Sequence, residues 1–179
     1  MEIKRCAITG HRPTRFRFKY DENNNGCKRI KKRMRDQFAL LYEQGVREFW
    51  VGGALGVDMW AGEILLRLKE QSEYSEIRLM IALPFEGHDV TWDERSKKRM
   101  DFLIRHSAET VVVGKKEAPP AVNYRRRNEY MVDRADCLLA VYDNDRSIRS
   151  GTGMSVNYAK KKKLPIILIH PDTSMVSSI

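Results

Sequence analysis

The sequence predicts an α/β protein built on a doubly wound, mostly parallel sheet with helices on both faces. Three observations carry this. Short apolar runs alternate with longer amphipathic stretches along the chain. Several of the runs are apolar at every position, as strands buried on both faces must be. Turns rich in glycine or marked by proline follow the runs, where a strand hands over to a helix.

The strand-like segments are residues 3–9, 48–51, 78–83, 109–113, 137–142 and 166–169. Between the first two, residues 28–43 repeat Ile30, Met34, Phe38 and Leu41 on one helical face, and Gly45 stops the helix. Residues 57–69 gather Ala61, Ile64, Leu65 and Leu68, and residues 91–106, 124–134 and 153–163 complete the helices. Strict alternation of strand and helix specifies right-handed crossovers and a Rossmann-like arrangement. With no internal repeat and no low-complexity linker, residues 1–179 read as a single domain. Pro119-Pro120 marks a loop inside it, and the polar tail, residues 171–179, is expected to fray.

The bulk properties agree. The 179 residues are 42% hydrophobic and 32% charged, a balance that permits a packed core and excludes a disordered chain. No apolar run approaches the roughly 20 residues of a membrane span, and no signal peptide is recognised, so a cytoplasmic protein with no membrane partner is expected. Cys6, Cys27 and Cys137 form no CxxC pair; Cys6 and Cys137 lie in apolar runs and read as buried free thiols. Neither a metal site nor a resident cofactor is indicated. The net charge of +9 favours an anionic partner. It is concentrated at Lys28 to Arg35, at Arg125 to Arg127 and at Lys160 to Lys163, runs that also suit solvated helix faces.

In such a sheet ligands bind where the carboxyl ends of strands turn into helices. The first turn is Thr9-Gly10-His11-Arg12-Pro13: Gly10 permits close backbone approach and His11 and Arg12 can meet an anion, or the segment is a sharp strand exit into a basic loop. The second is Gly52-Gly53-Ala54-Leu55-Gly56-Val57-Asp58, a glycine-rich bend opening a helix, and thus an anion site backed by the helix dipole. It lacks the Lys-Ser/Thr of a Walker loop and is not GxGxxG, so neither magnesium-dependent ATP hydrolysis nor standard dinucleotide binding is indicated. Asp58 suits a helix cap, a ribose hydroxyl, or both. The third turn carries Pro84 and Phe85, the latter a candidate for stacking on a base or an ordinary packed residue. Finally, Arg127-Asn128 on one helix and Ser150-Gly151-Thr152-Gly153 at the start of another suit a phosphate and a polar edge.

These residues resemble a known group. Val51-Gly52-Gly53-Ala54-Leu55-Gly56-Val57-Asp58 is similar to the G-x-A-x-G-[IV]-D segment of the SLOG superfamily, which includes the DNA-processing protein DprA (Smf) and the LONELY GUY enzymes. Arg127-Asn128, Ala135-Asp136 and Ser150-Gly151-Thr152 follow in the order of its later motifs, and the opening Ile8-Thr9-Gly10-His11-Arg12-Pro13 resembles its YpsA-like branch. The resemblance implies binding of a nucleotide-type ligand, such as ADP-ribose or a nucleoside monophosphate, in a sensor or regulatory role. LONELY GUY enzymes cleave base from ribose 5-phosphate with P-G-G-x-G-T-x-x-E. Here that proline is missing, Val57-Asp58 stands where the threonine is expected, and Glu63 is off the matching spacing.

Three functions therefore compete: nucleotide binding, an N-glycosidase on a nucleoside monophosphate, and DprA-like binding of single-stranded nucleic acid. The glycosidase needs a carboxylate beside the ribose and acid assistance to the base, for which Asp58, Glu63 and His11 are the candidates. The third reading rests on the basic clusters. No residue pattern specifies an oligomer, and homo-oligomerisation is left open.

Overall fold

The computed structural model describes residues 2–179. Strands β1 (Arg5–Gly10), β2 (Glu48–Val51), β3 (Arg78–Leu83), β4 (Glu109–Val112), β5 (Cys137–Val141), β6 (Ile166–Ile169) and β7 (Val176–Ser178) form one seven-stranded sheet in the order β4-β3-β2-β1-β5-β6-β7. All pairings are parallel except β6 with β7. Helices α1 (Asn25–Glu43), α2 (Val57–Lys69), α3 (Glu94–His106), α4 (Pro120–Arg134) and α5 (Gly151–Lys161) make the crossovers. The expected Rossmann-like, doubly wound α/β architecture is present.

Strand periodicity divides the core into two layers. Cys6 and Ile8 of β1, Phe49 and Val51 of β2, and Leu139 and Val141 of β5 face α1, α2 and α3. The alternate residues Ala7, Trp50, Leu138 and Ala140 face α4 and α5. Phe38 of α1 meets Phe49 edge-on at 5.6 Å, and Trp50 meets Tyr130 of α4 at 5.7 Å on the opposite face. All three cysteines are buried and free. Among the described residues, no helix is long and apolar enough to cross a membrane.

Capping moves several helix ends. Helix α1 starts at Asn25 because the Asn24 side chain accepts from the Gly26 amide at 2.8 Å. Helix α3 starts at Glu94 because Asp93 accepts from the Ser96 amide at 2.9 Å. Helix α4 starts at Pro120, a residue pre-set for the first helical position, so the Pro119-Pro120 pair opens a helix rather than lying wholly within a loop. The tail requires a larger correction. Instead of fraying, it returns as β7, pairing Val176 with Ile169 and Ser178 with Ile167. All three β7 side chains are exposed, so backbone pairing holds the strand and leaves no apolar alternation to read.

Candidate functional site

The strand order reverses between β1 and β5: the chain builds outward from β1 through β2 to β4, then returns to the other side of β1. Their carboxyl ends, paired at Gly10 and Val141, diverge into α helices on opposite faces and leave a crevice. A cleft of about 310 Å³ occupies it. Thr9, Gly10, His11 and Arg12 line it from the first turn, and Ala54 and Asp58 from the second. Arg127 and Asn128 enter from α4, and Ser150, Gly151 and Thr152 from the start of α5. Segments more than a hundred residues apart in sequence thus converge on one site.

The first two turns are interlocked. A Cβ on Gly10 would lie 2.5 Å from Val57 Cγ2, and one on Gly56 would lie 2.8 Å from the His11 carbonyl oxygen. Gly56 also has φ +85°, which only glycine adopts without strain. It is the residue preceding α2, and its missing side chain lets the two loops touch.

Behind the turn, Arg127 is buried and donates from Nη1 to the Gly52 carbonyl, while its Nε donates to Asn128 Oδ1 at 2.8 Å. Asp58 is also buried, and its Oδ2 accepts from the Ala54 amide at 3.2 Å. The carboxylate therefore braces the turn behind it and makes no cap to the helix ahead. Burial pushes the Asp58 carboxyl above its ordinary range, against the pull of the Arg127 guanidinium. Burial also lowers Arg127, and Asp58 opposes that shift. Gly53 supports the same turn: its carbonyl is 2.9 Å from His88 Nε2, and its φ is +69°.

The opposite wall is the start of α5. Ser150 Oγ accepts from the Gly153 amide at 3.0 Å, while the earlier first-turn amides have no acceptor within the helix. Arg12 and Arg15 add cations to the cleft, and Arg12 lies 5.0 Å from the Tyr124 ring centroid. His11 is 4% exposed, between Phe16 and Tyr142, and its Nε2 has no hydrogen-bond partner. Burial and the nearby Arg15 charge lower its pKa, which favours the neutral ring.

Several expected site residues serve the scaffold. Gly52, Gly53 and Gly56 support the turn from behind, and a Cβ at Gly153 would come within 2.9 Å of the Tyr142 hydroxyl. Pro84 lines a side chamber of about 60 Å³ that shares Arg12, Ala54, Tyr124 and Arg127 with the cleft. Glu63 lies outside the cleft lining, and Arg99 Nη2 donates to its Oε1 at 2.5 Å. Asp58 is the carboxylate among the residues lining the cleft.

Thr14, Arg15, Tyr124 and Met131 also line the cleft and were not singled out in the sequence. For two of them a signal existed. Tyr124, Arg127, Asn128 and Met131 follow a spacing of three, one and three, which puts them on one helical face. Thr14 and Arg15 owe their position to the 3-10 turn Pro13–Arg15, which has no comparable periodic mark.

Related proteins match this chain over most of its length. A UPF0398 protein of Bacillus cereus (strain G9842) is 28% identical over 161 residues, covering 89% of this chain and 84% of its own. Another, from Halalkalibacterium halodurans, is 30% identical over 144 residues, covering 80% and 75%. Among solved structures, DNA processing protein A from Helicobacter pylori, described for its single-stranded DNA binding mode, superposes with a TM-score of 0.60 at 18% identity. That match covers 93% of this chain but 65% of the Helicobacter protein, so the shared part is the fold. The model of the YspA SLOG family matches residues 6–174, from the second residue of β1 to the loop before β7, and the chain belongs to that family.

Proposed function

We propose that the cleft binds a nucleotide or nucleotide-derived ligand, such as ADP-ribose or a nucleoside monophosphate, in a sensor or regulatory role. The observation that carries this reading is the pairing of opposite chemistries across one crevice. The open first turn of α5, with Arg12 and Arg15 close by, suits a phosphate. Asp58, buried on the facing wall, suits ribose hydroxyls. Because Asp58 already holds the Ala54 amide, the second turn supplies the sugar contact, and the phosphate falls to α5. Isothermal titration with AMP, GMP and ADP-ribose tests the reading. Saturable one-to-one binding, weakened about tenfold or more by Arg12→Ala with Arg15→Ala, is expected. Absence of binding by all three ligands would overturn it.

Binding of single-stranded nucleic acid is the second reading. Its support is the likeness to the Helicobacter protein together with exposed Arg125 and Arg126 beside the cleft residue Tyr124. It requires affinity for an oligonucleotide that falls steeply with salt and is reduced by Arg125→Ala with Arg126→Ala.

A further inference from the structure

The cleft continues beyond Tyr124. A groove of about 420 Å³ runs between the outer faces of α4 and α5, and Tyr124, Asn128 and Gly151 line both spaces. The groove has its own chemistry. Ala121, Met154 and the Tyr158 ring supply apolar surface, Asn157 an amide, and Lys161 with the Arg125–Glu129 ion pair, at 2.9 Å, the charged rim. Tyr158 is fixed from behind, its hydroxyl donating to Asp133 Oδ1 at 2.9 Å, and Met154 is left 38% exposed.

Gly151 stands at the junction. A Cβ on it would meet nothing closer than Asn128 Nδ2 at 3.8 Å, whereas at Gly10, Gly52 or Gly56 it would collide with the protein itself. Its backbone φ is also not positive. Packing therefore places no demand for glycine here. What the missing side chain does is keep the passage from cleft to groove open, directly over the unpaired amides of the α5 start.

We propose that this groove is a second subsite of the same ligand, and that the ligand class is two nucleosides joined through phosphate. The inference rests on the nucleotide reading of the cleft. At about 310 Å³ the cleft lies at the small end of ligand sites, enough for one nucleotide, and the groove adds comparable room. Aromatic and thioether surface with amides beside it suits a second base better than a bare sugar, which would ask for more hydrogen-bonding groups. The bridging phosphate lies at Gly151, where the helix start favours negative charge. The bridge has two chemical sources: the pyrophosphate of a free dinucleotide or the phosphodiester of a strand end.

The test compares AMP and GMP with their pyrophosphate-linked and 3′,5′-phosphodiester-linked dinucleotides by titration calorimetry. Expected is a gain of about tenfold or more in affinity for one linkage over the mononucleotide. Met154→Trp, which fills the groove at an exposed position, should abolish that gain and leave mononucleotide affinity unchanged. Ala121→Trp provides the same block from α4. A gain with the pyrophosphate identifies a free dinucleotide, and a gain with the phosphodiester identifies a strand end; either supports the subsite. Mononucleotide binding with no gain for either linkage, or a gain that survives both variants, overturns the second subsite alone. Failure of every nucleotide to bind overturns the cleft reading with it.

Discussion

Arg127 Nη1 donates to the carbonyl of Gly52, 75 residues earlier in the chain, and this contact ties α4 to the turn that follows β2. Gly52 makes the approach possible. A Cβ on it would lie 2.6 Å from Arg127 Nη1 and 2.8 Å from Asp58 Oδ2, so arginine and carboxylate close on the same Cα from two sides. Gly52→Ala should therefore cost about 1–3 kcal/mol, the usual range for forcing a methyl into a packed site. It should also weaken nucleotide binding by displacing Asp58. Urea unfolding and calorimetric titration of the same variant check both effects, and an alanine tolerated without loss of either would contradict the contact.

Removing the arginine tests the relationship from the other side. Arg127→Met leaves the Gly52 carbonyl without its donor and Asp58 buried without the charge that opposes its neutralisation. A loss of about 3–5 kcal/mol is expected, the range for leaving a buried charge uncompensated. Arg127→Met combined with Asp58→Asn should cost less than the sum of the two single changes. A double-mutant cycle in urea measures the coupling, and strict additivity would refute it.

Much of this architecture was legible because burial imposes a period. Phe49, Trp50 and Val51 read as a strand covered on both faces, and they lie in alternate core layers. The glycine turns marked the cleft, since close approach of two loops or of Arg127 leaves no room for a side chain. What could not be read was set by pairing instead of burial. Strand β7 is held by backbone bonds to β6, with its side chains in solvent. Glu63 lies five residues along α2 from Asp58, and nothing in the sequence shows that Arg99, 36 residues later, claims it. The division between Asp58 for the turn and Ser150 for the α5 cap likewise depends on which amide each side chain reaches.

His11 and His88 give the site a pH signature. Burial lowers both below the ordinary value of 6.5, so the folded protein keeps them neutral where the unfolded chain is already taking up protons. The unfolded state then binds more protons, and stability falls as pH drops from about 7 through 6.5 and below. Asp58, shifted upward by burial, acts in the opposite sense, losing stability as pH rises above its ordinary range. The comparison must therefore be made between proteins. His11→Gln with His88→Gln should show a shallower decline in unfolding free energy between pH 7 and about 5 than the parent. An unchanged slope would show that neither ring resists protonation.

The loop that carries Arg12 and Arg15 is anchored far from the cleft. Arg99 of α3 donates to both oxygens of Glu22, at 2.7 and 2.9 Å, and to Glu63 of α2, while Lys31 reaches Glu22 at 2.7 Å. Phe16 and Phe18, stacked at 4.9 Å and packed on Trp60, close the same loop over the core. Arg99→Ala would leave Glu63 without its partner and Glu22 with Lys31 alone, so a loss of about 2–3 kcal/mol is expected. Arg99→Lys should recover only part of it, because an ammonium cannot bridge Glu22 through two parallel bonds. The network also sets an acid limit. Although burial opposes ionisation, Arg99 and Lys31 hold the Glu22 carboxyl down at about 2, against an ordinary 4.5. Its contribution is therefore fully present above 4.5 and is lost as pH falls toward 2. Glu22→Gln should lower stability at pH 7 and flatten the acid limb in that window, as read from urea midpoints. If the anchoring is what positions Arg12 and Arg15, the same variant should also bind AMP more weakly at neutral pH, although Glu22 lies outside the lining of the cleft. Unaltered AMP affinity in a destabilised Glu22→Gln protein would confine the network to a structural role.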